Sequence, residues 1–471
     1  MVRTRRSSAE RPGSGAAPGA GAPGQPWRPP RRQWHPAQAV VAAYGIAIAT
    51  GTLLLALPVA RRGPDGAGLV TALFTATTSI SLTGLTVVDT GTYWSGLGQA
   101  VVLGLVQVGG LGIMTLTSVL ALLLARRLGV RARLNVVAEA RSIGVGDVRR
   151  VLLGVTAVSL LIEAVVSLAL TLRFVGGYDE PFPRALWLGV WHGVEAFNNG
   201  GVSLYPDSLV RFATDPWVLL PIDVAVILGG IGFPVLFQLR RDLRVPRLWT
   251  MNTRLVLAGT AGLLALGTLV LTAQEWQNED TLGPLGIGGK LLAGFTTAVM
   301  PRSGGFNVVD TGEMRPGSWL VTDVLMFIGA GPAGTGGGIK VTTFLVLFFV
   351  IYAEARGEAA VNVFGKRLPR SVHRQATAVA LLSVAGVIVP TLVLLPLTRF
   401  SLDQVLFEVI SAFATVGLST GITADLPTAG QLILVVLMFI GRLGPITLAS
   451  ALALRQRRQL YDLPKERPVI G

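Results

Sequence analysis

The sequence has no cysteine, almost no histidine and little charge. Its 471 residues include only three His, at the scattered positions His35, His192 and His373. Without Cys the chain has no disulfide framework, no thiolate metal site and no Cys nucleophile, and three distant His residues give no His-based metal cluster. Charged residues make up 14% of the chain, whereas an average soluble protein has about 25%. This scarcity of charge argues against a soluble protein.

Apolar residues are abundant, at 51%, and an excess of Lys and Arg gives a formal net charge of +14. The resulting pI of about 11.1 would by itself suggest a nucleic-acid partner, but a mean hydropathy of +0.60 excludes a soluble nucleic-acid-binding domain. We therefore predict one membrane domain. Residues 1–33 differ, because they are rich in Pro, Gly, Ser, Ala and Arg and have no apolar period. They are predicted to be a disordered basic segment.

Long apolar runs predict the spans, since about 20 apolar residues cross the roughly 30 Å of bilayer hydrocarbon. Eight runs have this length: 38–60, 97–125, 151–175, 216–238, 254–274, 318–352, 375–398 and 428–453. Four shorter stretches are predicted to re-enter the membrane without crossing it: 70–82, 187–199, 290–301 and 403–415. Irregular backbone at membrane depth must be buried in protein or line a wet cavity, so the four segments predict a central pore. The run 318–352 is expected to break at its Gly-Pro sequence.

Basic residues predict the orientation of the spans. Of the 40 Lys and Arg residues, 29 lie on one side of the eight spans, in the segments 1–33, 126–150, 240–254, 356–374 and 455–467. The positive-inside rule assigns this side to the cytoplasm, which predicts a multi-pass protein of the plasma or inner membrane with both termini cytoplasmic. Arg302 is assigned to the external side, whereas Lys340 and Arg442 fall within spans. Basic residues that flank loops in this way also argue against a nucleic-acid partner.

One glycine in each short stretch marks a fourfold internal repeat. The glycines are Gly84, Gly201, Gly305 and Gly417, at separations of 117, 104 and 112 residues. An apolar residue and then a small hydroxyl or amide residue follow each glycine. Ten positions before each glycine is an aromatic residue that is expected only to pack the short helix: Phe74, Trp191, Phe295 and Phe407. The repeats are predicted at 34–126, 127–239, 240–355 and 356–455, with a cytoplasmic tail at 456–471.

A single loop glycine would indicate only a turn, but four equivalent ones after short apolar helices favour an ion pore. Glycine adopts backbone conformations that are closed to other residues. This freedom lets several carbonyl groups point to one side and replace the water shell of an ion. The negative C-terminal ends of the four short helices would face the same cavity, which favours a cation.

Residues 329–338, GAGPAGTGGG, interrupt an apolar span and are called the Gly-rich loop below. The glycine spacing formally fits a dinucleotide-binding fingerprint, but no strand precedes it in a βαβ unit. The segment is not a Walker A loop either, because Ile339 separates the last glycine from Lys340. We predict a broken helix whose flexible middle faces the pore and gates it. The alternative is a kink that permits close helix packing.

Two basic residues within spans, Arg442 and Lys340, each have more than one possible role. A lone charge such as Arg442 is costly in a membrane unless it is paired or hydrated. Arg442 either bonds carbonyl groups of the Gly-rich loop or forms a positive barrier beneath the filter, and the alternative is an ion pair with Glu163 or Asp323. Lys340 either contributes to the gate or extends to the cytoplasmic surface.

The glycine repeat resembles the Trk/Ktr/HKT superfamily of potassium transporters, and within it the KtrB branch of bacterial Ktr systems. The motifs that carry the resemblance are Ser81-Leu82-Thr83-Gly84-Leu85, Phe197-Asn198-Asn199-Gly200-Gly201, Arg302-Ser303-Gly304-Gly305-Phe306-Asn307, Ala414-Thr415-Val416-Gly417-Leu418-Ser419-Thr420-Gly421, the Gly-rich loop through Lys340, and Gly441-Arg442-Leu443-Gly444-Pro445. They cover about residues 38–455. The resemblance implies an all-α polytopic membrane protein in which four pseudo-fourfold repeats of helix, pore helix with loop, and helix surround a central ion pore.

By this resemblance the chain is the pore-forming subunit of a Ktr-type potassium uptake system and not an enzyme. K⁺ is the implied substrate and Na⁺ an implied activator, with no cofactor bound by this chain. The implied filter residues, which would bind K⁺, are Thr83, Gly84, Gly200, Gly201, Gly304, Gly305, Val416 and Gly417. The implied gate residues are Gly331, Gly334, Thr335, Gly336, Gly337, Gly338, Lys340 and Arg442. The implied partners are a second copy of the chain, a cytosolic KtrA-like ring of nucleotide-binding RCK domains, and the lipid bilayer.

Three residues, Val202, Pro301 and Ser303, differ from the usual sequence motifs of the family. They bear on how strictly K⁺ is selected over Na⁺. The main alternative is a secondary cation transporter with broken helices around a midplane site. Four similar re-entrant loops argue against it, since such folds usually have two related broken helices. A membrane-embedded enzyme is a third reading, which lacks support because no His cluster, Cys or paired carboxylates occur at a motif spacing. Glu195 and Glu408 lie in separate short helices and are expected to bind local backbone.

Overall fold

The computed structural model describes residues 36–63, 66–127 and 148–444, which are mostly helical. The helices are α1 (Pro36–Leu55), α2 (Leu69–Ser81), α3 (Thr90–Tyr93), α4 (Gly96–Arg127), α5 (Val148–Tyr178), α6 (Phe182–Asn198), α7 (Pro216–Ile231), α8 (Phe233–Asp242), α9 (Met251–Glu275), α10 (Ile287–Val299), α11 (Pro316–Phe327), α12 (Val341–Ala355), α13 (Arg370–Leu394), α14 (Leu402–Ala414) and α15 (Thr428–Leu443). An antiparallel hairpin of β1 (Asn362–Val363) and β2 (Lys366–Arg367) joins α12 to α13. The segment 1–33, most of 126–150 and the tail 456–471 lie outside the described residues.

Four short helices occupy the stretches that are predicted to re-enter the membrane. Helices α2, α10 and α14 begin within three residues of the predicted starts, and α6 begins five residues earlier, at Phe182. In α2, α6 and α14 every residue from the aromatic position (Phe74, Trp191 or Phe407) to the end of the helix is buried. The aromatic residues therefore pack these short helices into the protein, as expected.

Several of the long helices carry apolar side chains on their outer surface. By length and composition, three helices in the described part of the chain can cross a membrane, at Leu152–Tyr178, Met251–Glu275 and Arg370–Leu397, or four if the bent pair α7–α8 is one span. Their outward side chains include Leu161, Leu269 and Leu381, which are 64%, 69% and 66% exposed. Apolar side chains that face outward suit hydrocarbon surroundings. The count of eight spans stays a prediction.

The predicted span over 216–238 is sharply bent, which the sequence analysis did not anticipate. Helix α7 ends at Ile231, α8 begins at Phe233, and their axes differ by 101°. Gly232 between them has φ +92°, and a Cβ atom placed on it would overlap the Pro332 carbonyl oxygen. The bend therefore accommodates the Gly-rich loop, which lies about a hundred residues later in the chain.

The predicted break in 318–352 is confirmed. Helix α11 ends at Phe327 and α12 begins at Val341, with irregular backbone between them. The two ends of this irregular segment pair with each other, since the Gly329 N–H donates to the Ile339 carbonyl at 2.9 Å and the Ile339 N–H donates to the Phe327 carbonyl at 3.1 Å. The chain thus leaves the helical path after α11, forms the Gly-rich loop, and returns to a neighbouring position where α12 begins.

Candidate ion pathway

The loops that follow α2, α6, α10 and α14 share one backbone path, and we call residues 82–86, 199–203, 303–307 and 415–419 the glycine loops. Each begins with a residue in the left-handed region: Leu82, Asn199, Ser303 and Thr415, with φ of 54°, 59°, 76° and 50°. Two positions later each has a glycine with positive φ: Gly84, Gly201, Gly305 and Gly417, at 94°, 76°, 73° and 96°. Only the third loop differs before this point, because a 3-10 turn at Met300–Arg302 extends α10.

The four glycines contact one another in a ring, which we call the glycine ring. A Cβ atom placed on any of them would collide with the backbone of a neighbouring loop: Gly84 with the Gly200 carbonyl oxygen at 2.5 Å, Gly201 with the Gly305 Cα at 2.7 Å, Gly305 with the Val416 carbonyl oxygen at 2.5 Å, and Gly417 with the Thr83 carbonyl oxygen. A ring this tight leaves no room for side chains. The structure thus brings the eight residues of the sequence-derived filter set into one place.

A cavity of about 410 Å³ opens beside the glycine ring. All four ring glycines line it, and so does the residue two positions after each of them: Thr86, Ser203, Asn307 and Ser419. Asp89 and Asp310 also line it, and each accepts a backbone hydrogen bond at a helix start, from Gly91 N–H at 3.1 Å and Gly312 N–H at 2.9 Å. Neutral oxygen groups with two carboxyl groups suit a hydrated cation.

Polar side chains inside the short helices hold the glycine loops from behind. The Thr78 hydroxyl accepts from the Gly84 N–H at 3.0 Å, and the Ser411 hydroxyl accepts from the Gly417 N–H at 3.1 Å. Thr78 and Ser411 are absent from the residues singled out in the sequence. A signal for them exists, since each lies six positions before its loop glycine.

Glu195 and Glu408 bind local backbone, as expected. Glu195 lies six positions before Gly201 and accepts from the Val202 N–H at 3.3 Å. Glu408 accepts from the Thr420 N–H at 3.2 Å, from the Thr423 hydroxyl at 2.9 Å and from the Ser419 hydroxyl. Both carboxyl groups are buried, so they brace the second and fourth glycine loops instead of facing an aqueous site.

His192, another residue that sequence reasoning missed as a site residue, supports the second glycine loop. Its ring is fully buried and stacks on Tyr205, with ring centres 5.6 Å apart. Its Nε2 lies 3.1 Å from the Ser203 hydroxyl, and its Nδ1 lies 2.8 Å from the Leu188 carbonyl oxygen. His192 therefore fixes a residue of the cavity wall, with both ring nitrogens engaged within the protein.

The Gly-rich loop packs against the glycine loops and the end of α7. The Gly331 N–H donates to the Gly230 carbonyl at 2.8 Å, and the Thr335 N–H donates to the Gly229 carbonyl at 3.1 Å. A Cβ atom on Gly337 would overlap the Thr415 hydroxyl and the Ala414 carbonyl. Close packing therefore requires glycine at position 337. The same contacts are expected for a gate and for a kink that permits close helix packing.

Three basic side chains donate to carbonyl groups in the Gly-rich loop. Arg442 Nη1 donates to Thr335, Lys340 Nζ donates to Gly336 at 2.6 Å, and Arg302 Nη2 donates to Gly329 at 3.2 Å. The three side chains come from α15, the segment before α12, and the turn after α10. This geometry matches the reading in which Arg442 bonds the loop, and it directs Lys340 back to the loop instead of to the surface.

One expectation and one alternative about these charges are wrong. Arg302 was expected on the external side, but it is 5% exposed and contacts the Gly-rich loop. Within the described part of the chain, Arg442 forms no ion pair with Glu163 or Asp323. Glu163 instead accepts from Gln107 at 3.2 Å and from Asn198 at 3.0 Å. The membrane region thus holds one more buried cation than the sequence indicated.

Comparisons with known proteins identify the family of this chain. The family described as "TrkH: Cation transport protein" matches residues 23–459. The chain is 38% identical to the Ktr system potassium uptake protein B of Bacillus subtilis, over 89% of this chain and 94% of the relative. It is 37% identical to the protein of the same name from Vibrio alginolyticus, over 89% and 91% of the two chains.

A solved structure supports the fold. The potassium transporter TrkH from Vibrio parahaemolyticus matches with a TM-score of 0.73 over 91% of this chain and 87% of that chain, at 16% identity. A likeness at this identity supports the fold alone, which is that of a polytopic helical membrane transporter. The family is one of transport proteins and not of enzymes. Because the family match covers most of the chain, this protein belongs to the TrkH family of cation transport proteins.

Proposed function

We propose that this protein is the pore-forming subunit of a potassium uptake system. The observation that carries the proposal is the glycine ring, in which four loops with the same left-handed turn meet beside one oxygen-lined cavity. Carbonyl dipoles arranged around an axis replace the hydration shell of K⁺. The names of the relatives at 37% and 38% identity, which are potassium uptake proteins, support K⁺ as the substrate.

The filter in this proposal consists of the backbone at the glycine ring. Its residues are Thr83, Gly84, Gly200, Gly201, Gly304, Gly305, Val416 and Gly417. Positive φ at each ring glycine turns the carbonyl groups on either side of it toward a common direction. The four loops are braced by their own helices, so a cation meets a fixed set of oxygens instead of a collapsing loop.

The gate in this proposal is the Gly-rich loop with its cationic contacts. Gly331, Gly334, Thr335, Gly336, Gly337 and Gly338 form the movable backbone, and Lys340 and Arg442 hold it by hydrogen bonds to Gly336 and Thr335. The loop contacts the third and fourth glycine loops, so its displacement would open the path below the ring. The bonds from Arg442 and Lys340 would stabilise the closed arrangement.

The names of the same relatives support a proposal for the assembly. Their names describe one protein of a Ktr system, and we propose that this chain likewise pairs with a second copy and docks on a KtrA-like ring of nucleotide-binding domains. Activation by Na⁺ belongs to this proposal too.

We also propose the topology that the sequence predicts, with eight spans in four repeats, an inner-membrane location and both termini in the cytoplasm. The distribution of basic residues supports this topology.

Ion uptake tests the proposal directly. The chain should restore growth at low K⁺ in a strain that lacks its own K⁺ uptake, with a larger effect when the cognate ring subunit is co-expressed. Reconstituted into vesicles, it should conduct K⁺ and exclude Cl⁻. Equal permeation of K⁺ and Cl⁻ by a correctly folded protein would refute the filter assignment.

One observation favours the second candidate, a secondary cation transporter. The pair α7–α8 and the pair α11–α12 are both broken, and their breaks contact each other through Gly232 and the Gly-rich loop. Two broken helices that meet at membrane depth are typical of secondary transporters. Flux that saturates and requires an exchanged or co-transported ion would favour this candidate, whereas uncoupled K⁺ flux would exclude it.

A further inference from the structure

A second and larger cavity, of about 1120 Å³, lies outside the ion pathway between α9, α12, α13 and the β-hairpin. Residues from 247–255 and 364–379 line most of it, and 342–346 complete the wall. The first two stretches belong largely to the basic segments 240–254 and 356–374, which are far apart in the sequence. Folding therefore brings two basic segments together around one cavity.

The charge of this cavity has a single sign. Its lining includes Arg247, Arg254, Lys366 and Arg367 and no Asp or Glu. Arg254 is oriented by hydrogen bonds from Nη2 to the carbonyl groups of Pro246 and Arg247, at 3.1 and 3.2 Å. Arg247, Lys366 and Arg367 are exposed, and they form no ion pair within the described part of the chain. An anionic ligand would find four cations here without a competing carboxylate.

The cavity lies beside the N-terminal ends of two helices that can span a membrane. Helix α9 begins at Met251 and α13 at Arg370, and both are long and apolar enough to cross a membrane. Trp249 lines the cavity just before α9, with its indole N–H donating to the Asp242 carbonyl at 3.1 Å. Tryptophan is enriched at the headgroup level of membranes, and the first residues of two spanning helices mark the same level.

Apolar surface continues from the cavity toward the hydrocarbon. Val346, Val372, Ala376 and Val379 form its inner wall, and Phe364 at the hairpin is 45% exposed. The outer faces of α9 and α13 beyond the cavity are apolar as well. A ligand that fits must therefore combine a negative headgroup with long apolar chains, and the cavity is far larger than inorganic phosphate requires.

We propose that this cavity binds an anionic phospholipid, with the lipid phosphate among Arg247, Arg254, Lys366 and Arg367 and the acyl chains along α9 and α13. Basic pockets between membrane helices are a recognised way to bind anionic headgroups. A lipid here would tie the hairpin and α12, the helix that follows the Gly-rich loop, to the surrounding bilayer. The site depends on membrane location and not on the proposed substrate.

Lipid binding by purified variants tests the proposal. The cavity variant Arg247→Gln/Lys366→Gln/Arg367→Gln is compared with Arg240→Gln/Arg244→Gln/Arg374→Gln, which removes three exposed charges from the same basic segments outside the cavity. Delipidated protein is titrated with phosphatidylglycerol or with phosphatidylcholine of the same acyl chains, and bound lipid is counted by native mass spectrometry. The cavity variant should bind phosphatidylglycerol at least about tenfold more weakly than the wild type, while the control binds it normally.

Several results would overturn the proposal. Equal losses in the two variants would mean diffuse attraction to a basic surface, and equal binding of both lipids by the wild type would mean no headgroup recognition. Inorganic phosphate serves as a third probe, because displacement of the lipid by millimolar phosphate would point to a soluble anion instead. Val379→Trp narrows the cavity without changing its charge and should also weaken phosphatidylglycerol binding, which keeps the test open if the triple variant does not fold.

Discussion

The Ser303 hydroxyl joins Gly337 of the Gly-rich loop to Thr415 of the fourth glycine loop. Its hydroxyl oxygen accepts from the Gly337 N–H at 3.2 Å and donates its own proton to the Thr415 carbonyl at 2.6 Å. Ser303 belongs to the third glycine loop and Thr415 to the fourth. One buried hydroxyl thus joins two glycine loops to the Gly-rich loop.

Replacing this hydroxyl should loosen the closed arrangement. Ser303→Ala leaves the Gly337 N–H and the Thr415 carbonyl without a partner, at a cost of about 1–3 kcal/mol for each buried unsatisfied group. We expect a lower melting temperature and a higher basal K⁺ flux in vesicles. Ser371→Ala, at an exposed position on α13, is the matched control. Unchanged flux and stability in Ser303→Ala would mean that the hydroxyl does not couple the loops.

The glycine ring yields a prediction with an unusually close control. Gly305 and Gly365 both have positive φ, at 73° and 76°. A Cβ atom on Gly305 would lie 2.5 Å from the Val416 carbonyl oxygen, whereas Gly365 in the hairpin has nothing within 4 Å. Serine at either position pays the same left-handed strain of about 1–2 kcal/mol, but only Gly305→Ser displaces a carbonyl group of the ring.

We therefore expect Gly305→Ser to weaken the discrimination between K⁺ and Na⁺ and Gly365→Ser to preserve it. The measurement is the ratio of K⁺ to Na⁺ permeability in the same vesicle preparation. If both substitutions lower the ratio equally, backbone strain and not the ring would be responsible. If Gly305→Ser leaves the ratio unchanged, Gly305 is not a filter residue.

The features that the sequence predicts correctly depend on local or repeated patterns. The short helices and their ring glycines recur four times, so chance agreement at any single position matters little. The break before Val341 is also local, because the glycine and proline content of the Gly-rich loop cannot sustain a helix. The carboxyl groups of Glu195 and Glu408 bind backbone in their own helix–loop units, which again requires no distant information.

The features that the sequence misses depend on distant contacts. Residues 216–238 read as one apolar run, and only the Pro332 carbonyl, packed against Gly232, reveals why the chain must turn there. Arg302 follows a short helix, in a loop that the alternating direction of the spans assigns to the outside. Its buried guanidinium instead donates to the Gly329 carbonyl. In the sequence, Ser303 is only a difference from the usual family motif, yet its hydroxyl links the third and fourth glycine loops to the Gly-rich loop. None of these partners is near in sequence.

Glu408 offers a test of the bracing behind the fourth glycine loop. Its carboxyl group accepts from the Ser419 hydroxyl, the Thr420 N–H and the Thr423 hydroxyl. Glu408→Gln replaces one acceptor oxygen with an NH₂ donor that faces donors, which should cost about 1–3 kcal/mol and lower both the melting temperature and K⁺ selectivity. Asp403→Asn removes the same charge at an exposed position on the same helix and should change neither. Wild-type behaviour of Glu408→Gln would exclude the bracing role.

Deletion of residues 331–338 tests whether the Gly-rich loop is a barrier. The segments on either side of the deletion are hydrogen-bonded to each other, since the Val341 N–H donates to the Ala330 carbonyl at 3.1 Å, so the junction has to be rebuilt only locally. We expect a higher K⁺ flux that no longer responds to a regulatory subunit. Monodisperse, thermally cooperative protein would establish folding. A folded deletion variant with unaltered flux would refute the gate.

Arg442 distinguishes a tether from an electrostatic barrier. Its guanidinium donates to the Thr335 carbonyl, and a hydrogen bond from a charged donor contributes about 1.5–3 kcal/mol. If this bond stabilises the closed loop, its loss raises the open population by about tenfold or more, since each 1.4 kcal/mol is a factor of about ten. Arg442→Met removes charge and bond, whereas Arg442→Lys keeps the charge on a shorter side chain without the guanidinium. A tether predicts higher flux in both variants, and a barrier predicts it in Arg442→Met alone. Arg315→Met, at an exposed position, controls for the loss of one charge, and unchanged flux in both Arg442 variants would exclude Arg442 from the gate.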